Sequence, residues 1–228
     1  MISIKNITKK YGEIVAVNNA SFNLAKGEIV GFLGPNGAGK STTIKIITGA
    51  LQADSGSVNI FGHNLSFFPV NAKKKIGYLS EDNPLPPEMY VREYLEYVAG
   101  IYHLKNKKEA VEISIEKFGL KNESNKKISA LSKGNRQKLG LAQSLIHDPE
   151  FLVLDEPTSA LDPSQQSEIR ELINNLGKSK IILLSTHILH ELEDIASRII
   201  IIDKGKIMDD KHTKDIDSVE ELYHNIVK

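Results

Sequence analysis

The segment Gly34-Pro35-Asn36-Gly37-Ala38-Gly39-Lys40-Ser41 satisfies the pattern G-x-x-x-x-G-K-[ST]. Glycines at 34, 37 and 39 let backbone N–H groups converge on phosphate oxygens with no side chain in the way, and a helix starting at Lys40 adds its N-terminal dipole. Lys40 then reaches the terminal phosphates, and the Ser41 hydroxyl is placed to ligate Mg²⁺. A second chemical pair, Asp155-Glu156, closes the apolar run Phe151 to Leu154. A carboxylate at the end of a buried strand supplies a contact to Mg²⁺ through water, because that ion keeps several waters. Glu156, one residue on, points the other way and can accept a proton from an attacking water. Paired acids after a strand, met alone, are as readily a helix N-cap; beside a phosphate loop the chemical reading wins.

These groups need rigid supports. Glu28 to Leu33 reads as a strand running straight into the glycine-rich loop, and Lys40 to Leu51 as a helix with Ile44, Ile47 and Leu51 on one side. Short strands are expected around Ile2 and Ile4, over Ile14 to Val17, Val58 to Phe61 and Ile76 to Leu79. Beyond the stiff stretch Asn83 to Pro87, a helix carries Val91, Tyr94, Leu95, Val98 and Tyr102 on one stripe, and residues 84–145 read as a mostly helical lobe. Phe151 to Leu154 and Ile181 to Leu184 are the continuous apolar runs of fully buried parallel strands. Asp162, Pro163 and Gln165 mark an N-cap, a first-turn proline and a capping glutamine for a helix ending near Gly177. A helix over about Ile188 to Ala196, a hairpin around Asp203-Lys204-Gly205 and a capping box at Ser218 to Glu221 complete the chain. Strands alternating with helices predict a mainly parallel sheet covered on both faces.

Composition narrows the partners. The 228 residues carry 29 Lys+Arg against 29 Asp+Glu, so any phosphate binding is local, and a nucleic-acid partner is not expected. Lys73 to Lys75, Lys105 to Lys108 and Lys126-Lys127 read as solvated loops. With no Cys, a disulfide framework, a thiolate zinc site and a cysteine nucleophile are all excluded. Neither a secretory signal nor an apolar run of the ~20 residues that span a bilayer is present, which predicts a soluble chain.

The phosphate loop, Leu131-Ser132-Lys133-Gly134-Asn135, the Asp155-Glu156 strand, Ser159-Ala160-Leu161-Asp162 and Ser185-Thr186-His187 stand in the order and spacing of the ATP-binding cassette (ABC) ATPase family, and the resemblance runs through nearly the whole chain. It implies an α/β fold: a P-loop NTPase (RecA-like) core with a mainly parallel sheet, an N-terminal antiparallel β subdomain and the inserted helical lobe, all within one ABC ATPase domain over 1–228. It implies ATP and Mg²⁺ as ligands, with Gly34, Pro35, Asn36, Gly37, Ala38, Gly39, Lys40, Ser41 and Thr42 around the phosphates. Tyr11 resembles the aromatic that stacks on adenine. Leu131 to Asn135 resembles the family signature LSGGQ, with Ser132 and Gly134 kept and Lys133 and Asn135 replacing glycine and glutamine; in the family this segment contacts a nucleotide held by the other subunit. Ser132 also reads as a plain N-cap, and Asp162, similar to the acid of the loop that crosses the dimer interface, reads as one too. His187 resembles the histidine that senses the γ-phosphate, while Lys40 and Glu156 take the family's catalytic places. Metal contacts fall to Ser41, Asp155 and Glu81.

Glu81 is a departure, because the family places a glutamine there. A carboxylate binds Mg²⁺ more strongly than an amide and also repels phosphate. With Lys133 to Gln137, Glu81 looks most like the ABC-2 export group. The resemblance thus implies an ATP-hydrolysing transporter subunit that dimerises with a copy of itself or a related chain. It drives a separate transmembrane permease and is cytoplasmic, peripheral on the inner face of the membrane. Tyr90 and Tyr97, off the apolar stripe, are the residues expected to touch that partner. The rivals are a soluble ABC protein acting on ribosomes or DNA, whose tandem cassettes or coiled coils exceed 228 residues, and a P-loop kinase or GTPase, which needs neither Ser132 to Asn135 nor His187.

Overall fold

Strands that are apolar at every position demand cover on both faces. The first part of the chain runs β1 (Ile2–Tyr11), β2 (Ile14–Leu24), β3 (Ile29–Leu33), α1 (Lys40–Ile47), β4 (Ser55–Ile60), β5 (His63–Asn64), α2 (Pro69–Lys73) and β6 (Ile76–Leu79). Then come α3 (Val91–Ile101), α4 (Lys107–Lys117) and α5 (Lys133–Leu145). The last part alternates through β7 (Phe151–Asp155), α6 (Pro163–Gly177), β8 (Ile181–Ser185), α7 (Leu189–Ile195), β9 (Arg198–Asp203), β10 (Lys206–His212) and α8 (Val219–Ile226). The computed structural model describes residues 1–159, 161–186 and 189–227, the Glu191 side chain excepted.

The major sheet has the order β10-β9-β3-β8-β7-β6 and is parallel except for the β9–β10 hairpin. A second, antiparallel sheet, β2-β1-β4-β5, packs against it. Side chains alternate across a strand, and here both sets are buried. Phe151, Val153, Leu183, Ile200 and Ile202 face the core shared with the second sheet and α1. Leu152, Leu154, Leu184, Ile199 and Ile201 face the core under the helices. The helical core also takes in Val91, Leu95 and Val98 of α3, with Tyr94 and Tyr102 packed against it as the stripe predicts.

Three expectations are corrected. The helix after the phosphate loop stops at Ile47 rather than Leu51, because the Thr48 hydroxyl turns back onto the Ile44 carbonyl and Gly49 takes φ +72. β1 and β2 are long rather than short, and their two-residue period is broken where register shifts accompany left-handed Asn6 and Asn19. At α8, Ser218 Oγ accepts from the Glu220 and Glu221 N–H groups, but it is Glu193, from α7, that accepts from Ser218 Oγ and Val219 N, taking the place foreseen for Glu221.

Candidate active site

β3 leaves the sheet at Leu33, and the following loop is clamped by main chain. A Cβ on Gly34 would lie 2.3 Å from the Ile202 carbonyl oxygen, and one on Gly39 would lie 2.3 Å from that of Ala16. Gly39 also has φ +105, a backbone that L side chains rarely adopt. Ala38 N donates to the Pro35 carbonyl (3.1 Å), Gly205 N to the Ala38 carbonyl (2.9 Å) and Asn18 N to the Gly205 carbonyl (2.8 Å), which wedges the loop between β2 and the β9–β10 turn. Gly39 caps α1 without any side-chain bond, and the first turn holds no acid, so its N–H groups are left for an anion. Lys40 Nζ lies across the loop, donating to the Gly34 and Pro35 carbonyls. Burial lowers its pKa, and Glu156, Asp155 and Glu81 oppose that shift. A cradle of glycines under a lysine suits polyphosphate.

The acids are placed by strand pairing. β7 and β8 are in register at Asp155 and Ser185, and the Ser185 hydroxyl donates to Asp155 Oδ1. Asp155 is 5% exposed. Burial raises its pKa, against the Ser185 hydrogen bond and the charges of Lys40 and Lys45. Glu156 then leaves the strand at φ +51 with its N–H donating to the Ser185 carbonyl (3.0 Å). A left-handed non-glycine residue persists only where its surroundings hold it, and such residues cluster at functional sites. Lys40, Ser41, Thr42, Glu81, Asp155 and Glu156 share one cleft of about 510 Å³, whose other walls include Ala16, Pro35, Asn36, Gly37 and Gly39. The carboxyls of Glu81, Asp155 and Glu156 and the Ser41 hydroxyl are hard oxygen donors of the kind Mg²⁺ takes, but among the described residues no three acidic or histidine side chains are grouped closely enough to hold a metal ion by themselves. Burial, helped by the charges of Asp155, Asp82 and Glu81, pushes the Tyr78 phenol up to about 12.

Other expected residues stand apart. Tyr11 is exposed at the β1–β2 turn, paired with Ile14, with Lys9 Nζ 6.0 Å from its ring centre. Ser132 caps α5 by accepting from Asn135 N (3.2 Å), and Asp162 caps α6 by accepting from Gln165 N (3.0 Å). Gly134 is buried under the Gln165 side chain, whose Oε1 would lie 2.5 Å from an added Cβ; the glutamine foreseen as a cap covers the signature glycine. Tyr11, Ser132, Gly134 and Asp162 do not line the cleft. His187 lies outside the described residues. Three positioning residues escape sequence reasoning. Ser185 holds Asp155, Gln137 Nε2 donates to the Pro157 carbonyl (2.9 Å), and Asn83 Nδ2 donates to the Arg136 carbonyl (2.9 Å). The last two tie α5 to the acids and to the loop that carries Glu81, and only tertiary pairing could have revealed them.

A family model described as "ABC transporter" matches residues 17–159. The Streptococcus pyogenes lantibiotic transport ATP-binding protein SrtF is 36% identical over 226 residues, which is 99% of this chain and 96% of that protein. The Bacillus licheniformis bacitracin transport ATP-binding protein BcrA is 38% identical over 212 residues, 92% of this chain and 69% of that protein. Among solved structures, an ATP-binding subunit of an ABC transporter superposes with a TM-score of 0.92 at 28% identity, with both chains fully covered. A dimeric, post-hydrolysis ATP-binding cassette bound to ADP and Pi superposes with a TM-score of 0.85 at 26% identity over 93% of this chain and 99% of that one. The chain belongs to the ABC transporter family, as an ATP-binding subunit with the fold of its ATPase cassettes.

Proposed function

We propose that two such cassettes meet head to tail, each lending Ser132, Gly134 and Asp162 to the cleft of the other, and that ATP hydrolysis between them drives a separate membrane permease in the export direction. One observation carries this reading: the cleft gathers phosphate loop, Glu81, Asp155 and Glu156, while the capped start of α5 lies outside it. The start of that helix is a second anion site with no anion of its own chain to meet.

Within one cleft the backbone of Gly34 to Gly39, with Lys40 and Thr42, binds the phosphates, and Tyr11 offers its ring face to the adenine. Ser41, Asp155 and Glu81 would hold Mg²⁺, which when bound neutralises charge on phosphate oxygens. Glu156 takes a proton from water as that water's oxygen bonds to the γ-phosphorus and the bond to the β-phosphate oxygen breaks, leaving ADP and phosphate. His187 is assigned the γ-phosphate contact by resemblance alone. We treat 1–228 as one ATPase domain with its helical lobe at about 84–145. Tyr90 and Tyr97, exposed on and just before α3, are the lobe's contacts for the permease on the inner membrane face. Relatives named for bacitracin and lantibiotic transport and for linearmycin resistance support export.

Glu156→Gln is the test. It should bind ATP, lose turnover and accumulate as a dimer in size-exclusion chromatography with ATP. A strictly monomeric wild-type sample whose turnover per molecule is unchanged by dilution overturns the shared site.

A further inference from the structure

Away from the cleft, one turn holds three neighbouring apolar side chains in water: Phe67 is 77% exposed, Phe68 56% and Val70 63%. The turn is built to present them. Asn64 Oδ1 accepts from Ser66 N (3.0 Å), and the Asn64 carbonyl accepts from Phe67 N (3.2 Å) and Phe68 N (2.8 Å). Pro69 then opens α2, whose Ala72 is fully buried. Helical spacing therefore puts Val70 and Lys74 opposite Ala72, while Lys73, also exposed, lies to one side with its stem along Gly49. Lys75 pairs with Glu150, whereas Lys73 and Lys74 make no ion pair among the described residues. No Asp or Glu occurs between Asp54 and Glu81, so this protruding segment is purely cationic in a chain of zero net charge.

We propose that the Phe67–Lys74 turn is a membrane-surface contact: Phe67, Phe68 and Val70 enter the headgroup–acyl boundary, and Lys73 and Lys74 meet anionic lipid phosphates. Exposed aromatic groups with lysines on one face are the composition that binds such an interface. A protein partner would need carboxylates fixed opposite two flexible lysines. A bilayer supplies phosphates at any register, which a convex turn of one charge sign can use. The inference is independent of which residues hydrolyse ATP.

The chain has no Trp, so Phe68→Trp places a single indole reporter in the turn. With vesicles of phosphatidylcholine containing about one-third phosphatidylglycerol, its emission should shift to the blue and be quenched by brominated acyl chains. Lys73→Gln and Lys74→Gln should each weaken vesicle binding by roughly fivefold, the expected contribution of one lysine at an anionic surface. Phe67→Ser with Phe68→Ser should abolish binding, and turnover of ATP in solution should stay at the wild-type rate in every variant. An indole unmoved by anionic vesicles overturns the proposal, as does equal binding to pure phosphatidylcholine. So does vesicle binding that survives the serine variant, or an indole that responds only to purified permease in detergent, which would make the turn a protein interface.

Discussion

The two glycine-marked helix starts of this cassette are built from different materials. At the phosphate loop, Gly34 and Gly39 are crowded by carbonyl oxygens of Ile202 and Ala16, parts of two sheets that cannot shift without breaking strands. At the start of α5, Gly134 is crowded by the amide end of Gln165, and six residues further along Gly140 is crowded by that of Asn83. Side-chain amides can swing away; main chain in a sheet cannot. The first site is thus a fixed cradle. The second is held by adjustable groups, as would suit the surface that the proposed head-to-tail pairing engages and releases.

The sharpest challenge to this contrast compares two alanine variants. Gly39→Ala forces a Cβ against the Ala16 carbonyl at φ +105, and should cost about 3 kcal/mol or more and abolish nucleotide binding. Gly134→Ala need only displace Gln165, and should cost under about 1 kcal/mol while still lowering turnover. Urea unfolding with calorimetric titration of a non-hydrolysable ATP analogue reads both. Equal destabilisation by the two variants would remove the contrast.

The far end of α5 sharpens it. His147, just past the helix, stacks on Tyr102 with ring centres 3.6 Å apart and 3° between planes, and its Nε2 lies 3.0 Å from the Ile76 carbonyl oxygen. Its Nδ1 is buried with no hydrogen-bond partner among the described residues. Burial drops its pKa to about 4 from 6.5, so the folded state favours the neutral ring. Stability from this group is complete above pH 6.5 and is lost as pH falls toward 4, by up to about 3 kcal/mol. His147→Gln should flatten the urea midpoint over that window. An unchanged pH slope would show that this end of α5 is not fixed through His147.

Joining the two ends is Gln137, which donates from inside α5 to the Pro157 carbonyl beside the acids. Gln137→Leu leaves that buried carbonyl unpaired, at a cost of about 1–2 kcal/mol. Turnover should fall more than nucleotide affinity, since the phosphate cradle is untouched. A variant that loses affinity and turnover in proportion would show that the cradle, too, depends on α5.

The cradle was the more legible of the two starts, because its glycines answer to backbone chemistry that a motif records. The β7 and β8 runs were legible for a similar reason, since burial on both faces writes itself as an unbroken apolar stretch. What stayed hidden depends on register between distant segments. Asp155 meets Ser185 only because β7 and β8 pair in one alignment, and left-handed Glu156 is held on both sides, its N–H donating to the Ser185 carbonyl and its carbonyl accepting from Ser159 N and Oγ. Tyr102 was readable as core, but its stacking on His147 was not. Bulges at Asn6 and Asn19 broke the two-residue period that would have announced β1 and β2 as long strands.

The smallest effect tests whether the fixed half carries strain for its chemistry. The raised pKa of Asp155 means that the folded chain resists its charge. Its contribution to stability is greatest below the unfolded-state pKa, declines as pH rises through the raised value, and stays depressed at neutral pH. Asp155→Asn removes that charge and can still accept the Ser185 hydroxyl. The nucleotide-free protein should therefore gain about 1 kcal/mol, a rise of roughly 2–4 °C in melting temperature at this chain length. Mg²⁺-dependent turnover should collapse. In the wild type, Mg²⁺ dependence should weaken on acidification at a higher pH than an ordinary carboxylate would give, because the proton competes longer for Asp155. A variant that melts lower than wild type would mean that the carboxylate holds the β7–β8 edge together, rather than being tolerated there for its charge.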